Sequence, residues 1–358
     1  MLYEWLYPLR DYFLPFNVFR YITFRMLGAM LSAALLYFLL VPSLRRWIAA
    51  RQVKQQVREE GPASHKSKSG TPTMGGVAIW GSIYLAVLLW MNFDSRFTWM
   101  VLAGSLVLFG VGCVDDWRKV QRKANLGLKG RSKLVVQFAV GLFFGWVLAQ
   151  VWQFPGDLTI PFLKKVTLDL GWFYIPFVAL IITGASNAVN LTDGLDGLVT
   201  PPLMMAFITY AIFLYVSGHV KLAAYLQLPY LAGVGEVTII CGAIVGALMG
   251  FLWHNSYPAD LFMGDVGSLP LGGTLGMVAA LAKQELLLLV VGGLFVFEAV
   301  SVMSQVFSFK VLGKRIFRMA PIHHHFELQG IAEPKIIVRF WIVAFILSLL
   351  GLATLKLR

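Results

Sequence analysis

Charge is scarce in this 358-residue chain: Asp, Glu, Lys and Arg make up only 13% of it, about half the share of a soluble domain. Cysteine is scarcer still. Cys113 and Cys241 are alone, each inside a long apolar run, so no disulfide framework is implied. Acidic residues are the rarer sign, 18 against 30 Lys and Arg, for a formal net charge of +12. So little charge excludes a water-soluble globular enzyme and a disordered protein. It also excludes a nucleic-acid-binding domain, which needs a soluble basic face. The N-terminal MLYEWLYPLRDYFLPF lacks the basic-then-apolar pattern and small-residue cleavage site of a signal peptide. What abounds is apolar surface: 58% of residues are hydrophobic and the mean hydropathy is +0.73. The composition is that of a polytopic membrane protein.

A membrane-crossing helix needs about 20 mostly apolar residues, because about 30 Å of hydrocarbon is crossed at roughly 1.5 Å per residue. Ten windows qualify, near 21–41, 73–91, 97–114, 132–152, 171–189, 199–216, 231–252, 266–282, 286–304 and 336–357. They are continuously apolar rather than alternating, which predicts helices and not a barrel. The expected fold is therefore all-α, one integral membrane domain over 1–358. The connections after the odd-numbered windows share one side and hold 18 of the 30 Lys and Arg. The other side, with both termini, holds nine, and Arg25, Lys133 and Arg339 fall within or at the edge of windows. The positive-inside rule then puts the odd connections in the cytosol and both termini outside. On the outer side, 154–171 alternates about Leu163-Lys164-Lys165, predicting a short hairpin. Gly242, Gly246 and Gly250 repeat every four residues and permit close helix contact, within the chain or between two copies.

Groups able to do chemistry collect on the cytosolic side. His65, His254, His323, His324 and His325 lie in odd connections, as do Asp115, Asp116, Asp193, Asp196, Asp260 and Asp265. A transporter more often places ionisable residues near the midplane, where only Glu236 and Glu298 qualify. The fifth and seventh connections hold four aspartates with no Lys or Arg, whereas the first, third and ninth are basic. Uncompensated carboxylates beside a membrane suit a hard cation such as Mg2+, and basic segments suit phosphates. Together they suggest metal-assisted phosphoryl transfer on an anionic, lipid-associated substrate.

Each motif has a plainer reading beside the functional one. Asp115-Asp116 directly follows the third window and reads equally as a polar stop. Neighbouring side chains share a helix face poorly, so the two aspartates are expected to do different jobs. Asn190, Asp193 and Asp196 in NLTDGLDG are spaced by three. They face one cleft if helical, or form two Asp-Gly turns. Asn255 to Ser268, NSYPADLFMGDVGS, sets Phe262 among polar turns, where a ring can stack on a nucleobase or anchor the loop in the interface. HKSKSGTPTMGG at 65–76 places Lys66 and Lys68 before a Gly/Thr-rich turn that favours anions. Lys310, Lys314 and Arg318 recur every four residues within 306–320, predicting a basic amphipathic helix on the membrane surface that Pro321 ends. Three consecutive histidines cannot all face one metal from a helix, so phosphate contact is favoured over zinc.

In this order and spacing, DD after a span, NLTDGLDG, NSYPADLFMGDVGS and PIHHHFELQG resemble the polyprenyl-phosphate sugar-1-phosphate transferases. Within them they resemble the branch that takes a muramoyl-pentapeptide donor. GTPTMGG before the second window and the overall length fit too, so the likeness covers the whole chain. The resemblance implies transfer of phospho-MurNAc-pentapeptide from UDP-MurNAc-pentapeptide to undecaprenyl phosphate, giving lipid I and UMP. It implies a Mg2+ requirement, a homodimer, and a bacterial cytoplasmic (inner) membrane enzyme with periplasmic termini and a cytosolic cleft. Carried over position by position, Asp265 is the expected Mg2+ ligand, and Asp115, Asp116 and Asp265 the catalytic carboxylates. Asn190, Asp193, Asp196, Asn255 and Phe262 would hold the uridine end, Phe262 on the uracil. Lys68, Thr73, His323, His324 and His325 would line the phosphate and sugar side. The expected mechanism is direct attack of the lipid phosphate on the sugar-bearing phosphorus, with Asp115 as base. Its rival passes through a phosphorylated aspartate. Two other functions stay open: a UDP-GlcNAc transferase of the sister branch, and an ion-coupled transporter or flippase.

Overall fold

A computed structural model describes residues 1–51, 70–122, 127–163 and 167–357. The chain is a bundle of apolar helices, here α1 (Ile22–Ala50), α2 (Gly76–Trp90), α3 (Arg96–Arg122), α4 (Gly130–Trp146), α5 (Tyr174–Thr192), α6 (Thr200–Ser217), α7 (Thr238–Asn255), α8 (Asp265–Leu281), α9 (Gly293–Leu312) and α10 (Glu333–Leu357). Among the described residues, eight helical segments are long and apolar enough to cross a membrane; α2 and α8, at 15 and 17 residues, are shorter. The short α8 is buried along its whole length after Asp265, so its stretch need not match the lipid. Helix α7 is buried nearly all round, as expected of a helix apolar on every face.

The glycine repeat resolves as a seam inside the chain. Gly242 and Gly246 of α7 lie against the Met26 and Met30 carbonyls of α1, and Gly250 lies against the Tyr37 ring. No side chain fits there, so the two backbones run in direct contact. A second, smaller core joins Leu195, Leu198, Leu294, Ile322, Ile336 and Phe340. It fastens the 193–198 loop to α9, α10 and the histidine segment.

At the end of the bundle away from the site, β1 (Asp157–Thr159) and β2 (Thr167–Asp169) form the expected antiparallel hairpin, with Leu158 opposite Leu168. Arg25, near the start of α1, pairs bidentately with Glu236 at 2.6 and 2.7 Å. Glu236 is therefore neutralised by a partner 211 positions away, where the transporter reading needs a lone carboxylate near the midplane.

Two expectations fail in the ninth region. The window 286–304 is not one helix: Leu288–Val291 ends at Gly292, and α9 starts afresh at Gly293. Nor does a basic helix span 306–320. Gly313 adopts a left-handed φ of +64° and stops α9 at Leu312, as glycine readily does. Lys314 and Arg318 then lie on a bent segment, and Pro321 precedes the helix Ile322–Glu327 rather than ending one.

Candidate active site

Asp115 and Asp116 do not end a helix, because α3 continues to Arg122. Basic Lys119 and Arg122 occupy its last turn, where cations suit the helix dipole. Both aspartates are buried, with 0% and 4% exposure. Asp265 opens α8, where a carboxylate is favoured. Gly264 before it has φ +76° and leaves no room for a side chain beside the Asp116 carboxylate. The three carboxylates converge, each placing an oxygen within 4.8 Å of the others. Asp115 and Asp116, neighbours on one helix, thus both reach the cluster. What differs is their tethering: Leu128 N–H donates to Asp115 at 2.7 Å, and Val266 N–H to Asp116 at 2.9 Å.

Two lysines are threaded through this cluster. Lys119 Nζ lies 2.6 Å from Asp115, 3.2 Å from Asp116 and 3.3 Å from Asp265. Lys133 Nζ lies 2.9 Å from Asp265 and 3.4 Å from Asp115. Asn190 Nδ2 donates to Asp265 Oδ1 at 2.9 Å and to Ser268 Oγ at 2.8 Å. Three carboxylates against two ammonium groups leave one negative charge. An oxygen-only donor set with a residual negative charge fits a hard divalent cation, so Asp115, Asp116 and Asp265 could hold a metal ion.

Neither lysine was singled out from the sequence. The signal for Lys119 was its spacing: four residues after Asp115 and three after Asp116, on the same helix surface. For Lys133 it was a charge at the edge of an apolar window, which marks a functional position by default.

Next to the cluster the chain turns. Helix α5 ends at Thr192, so Asn190, Asp193 and Asp196 share no helix face. The Asp-Gly turns are the reading that holds past residue 192. Asn190 reaches the carboxylates, whereas Asp196 Oδ2 accepts from Ala259 N–H at 3.0 Å. Burial, together with the Asp265, Asp116 and Asp196 carboxylates, pushes Asp193 up to about 7. Asn255 ties loops together: its Oδ1 accepts from Gly197 N–H and its Nδ2 donates to the Leu261 carbonyl, both at 3.0 Å. Phe262 is half-buried, its N–H donating to the Pro72 carbonyl at 2.9 Å and its own carbonyl accepting from Gly75 at 2.8 Å. That pairing brings Thr73 beside Gly264, against the carboxylates. Lys68, with Lys66 and His65, lies outside the described residues.

The histidines diverge. His323 is fully buried, its Nδ1 3.1 Å from Glu298 Oε1. His324 Nδ1 lies 2.6 Å from Glu327. His325 accepts from Arg318 N–H at 3.1 Å through Nδ1 and meets Gln329 through Nε2 at 2.8 Å, so both of its nitrogens are occupied. A groove of about 640 Å³ runs between α9 and the bend, with Val306, Phe309 and Met319 in its walls and Lys310, Arg315 and Arg318 at its edges.

Comparison with known proteins agrees with this geometry. The Glycosyl transferase family 4 model matches residues 98–283, from α3 past the end of α8. The phospho-N-acetylmuramoyl-pentapeptide-transferase signature 1 matches residues 68–79. The phospho-N-acetylmuramoyl-pentapeptide-transferase of Citrifermentans bemidjiense is 54% identical over the full length of both chains. That of Pelobacter propionicus is 53% identical, and that of Desulfotalea psychrophila 52%, again end to end. The chain belongs to the phospho-N-acetylmuramoyl-pentapeptide-transferase family. In this family member, the matched model contains all three clustered carboxylates, Lys119, Lys133, Asn190 and Phe262, while the histidine segment lies beyond it.

Proposed function

We propose that this chain transfers phospho-MurNAc-pentapeptide from UDP-MurNAc-pentapeptide to undecaprenyl phosphate, releasing UMP and forming lipid I. The observation that carries the reading is the buried Asp115–Asp116–Asp265 cluster with Lys119 and Lys133, in a chain 54% identical end to end to a transferase of that name. Asp265, with Asp115 and Asp116 beside it, would hold Mg2+. When bound, the ion supplies charge neutralisation at the diphosphate and at the departing UMP. The reaction forms one bond from an oxygen of the lipid phosphate to the sugar-bearing phosphorus, and breaks the bond from that phosphorus to the UMP oxygen. A phosphate monoester has its second pKa near about 6, so at neutral pH the acceptor is largely dianionic already. Lys119 and Lys133 then do most of the work of aligning phosphates, and Asp115 removes only a residual proton.

Asn190, Asp193 and Asp196 surround the uridine, with Phe262 against the base. Thr73 would meet the phosphates together with Lys68, and His323 and His324 would line the sugar side. His325 is left to hold the bend. The apolar walls of the groove along α9 would take part of the polyprenyl chain. The site faces the cytosol of a bacterial cell, ten segments cross the inner membrane, and the resemblance supports a homodimer as the working unit.

The test is UMP release by purified protein in detergent with undecaprenyl phosphate, with and without Mg2+. Release is expected with UDP-MurNAc-pentapeptide and Mg2+, lost on chelation, and reduced at least about 100-fold in Asp265→Asn. Release with UDP-GlcNAc instead would move the chain to the sister branch. No release with either donor from folded protein would overturn the reading.

A further inference from the structure

The mechanism above makes no use of Glu298. It lies within α9, is fully buried, and its Oε1 lies 3.1 Å from Nδ1 of the equally buried His323. Among the described residues, neither Glu298 Oε2 nor His323 Nε2 has a hydrogen-bond partner. A buried, unsatisfied ring nitrogen is costly unless something completes it. Nε2 lies against Gly194, where even a Cβ would collide with the ring. Gly194 follows Asp193, whose carboxyl feels the Asp265 and Asp116 charges. The open nitrogen therefore faces the turn that borders the carboxylate cluster.

A carboxylate beside Nδ1 fixes the plane of the ring. It leaves Nε2 as the nitrogen free for a further hydrogen bond. Resting on the function proposed above, we infer that Glu298 is a positioning residue: it fixes the His323 ring so that Nε2, at the Gly194 turn, is presented to a hydrogen-bonding group of the nucleotide-sugar donor. It touches no substrate itself. The second core, which joins Leu195, Leu294 and Ile322, keeps the loop, α9 and the histidine helix in register for this contact.

The experiment compares the full-length protein with Glu298→Gln, His323→Gln and the double variant, measuring KM separately for donor and acceptor. Glu298→Gln is expected to raise the donor KM about tenfold and to leave the undecaprenyl phosphate KM within twofold. The double variant is expected to be no worse than His323→Gln. A purely structural role would shift both KM values, or only stability. Equal shifts in both, no shift in either, or multiplying effects in the double variant would overturn the inference. If Glu298→Gln does not fold, unsubstituted protein labelled with 15N-histidine decides. The Nε2 resonance of His323 must move when the UDP donor is added without acceptor, and an unmoved resonance overturns the inference. Mg2+-dependent UMP release by the unsubstituted protein is read separately. Its absence defeats the proposed function, whereas its presence with an unchanged donor KM defeats only the role of Glu298.

Discussion

Asp193 is the residue at which the charge of the whole site can be read out. Burial and three neighbouring carboxylates raise it to about 7, whereas in an unfolded chain it titrates near about 3.9. The sign follows from linkage. Between those values the folded protein holds a proton that the unfolded chain has released, so stability falls as pH rises through that window and levels off above about 7. Without metal, Asp193→Asn should therefore melt a few degrees higher than the parent at pH 8 and no higher at pH 4. Thermal denaturation in detergent at both pH values checks this, and parallel curves for parent and variant would refute the electrostatic origin of the shift. Mg2+ should shrink the difference, because a cation among Asp115, Asp116 and Asp265 removes part of the repulsion. The acidic members of this site were legible in the sequence because acid is so rare there that each local surplus stands out. Lys119 was legible only in part: its spacing sets it against Asp115 and Asp116 on one helix surface, but not against Asp265. Glu298 was not, because its partner His323 lies 25 positions away and spacing carries no record of such a partner.

Among the elements, the α1–α7 seam makes the sharpest prediction. A methyl group at position 246 would occupy the place of the Met30 carbonyl, so Gly246→Ala must force the helices apart. A loss of about 1–3 kcal/mol is expected, seen as a lower melting temperature and a smaller monodisperse fraction in size-exclusion chromatography. Gly110→Ala in α3 is the control, since nothing lies within 4 Å of a Cβ there. It removes backbone freedom from the unfolded chain and should be neutral or stabilising by up to about 1 kcal/mol. If both substitutions behave alike, the seam is not what holds these helices. Glycine spacing announced that a close contact existed but not its partner, because small residues look the same facing another helix or another copy. The converse holds at Gly313. Its single left-handed residue overrode the four-residue recurrence of Lys310, Lys314 and Arg318, since a periodic pattern cannot signal a backbone that has stopped being helical.

For the molecule as a whole, the apolar windows read well because hydrocarbon thickness sets a length that every lipid-facing helix must meet. Where the reading strained, at α2 and α8, the helices are short and α8 is wrapped by protein, so lipid places no demand on it. Orientation rests on a different physical term, the asymmetry of Lys and Arg between the two sides, and it separates the hairpin end from the carboxylate end. Leu168 on β2 is exposed at the first, and Gln121 near the end of α3 is exposed at the second. With native Cys113 half-buried and Cys241 buried, single cysteines at these positions can be distinguished by a membrane-impermeant thiol reagent on intact spheroplasts. Leu168→Cys should label from outside, and Gln121→Cys only after permeabilisation. The opposite pattern would turn the bundle over and place the carboxylates away from the cytosol, where a nucleotide-linked donor is made. The catalytic proposal would then fail with the orientation, because a UDP-linked donor would have no access to Asp265.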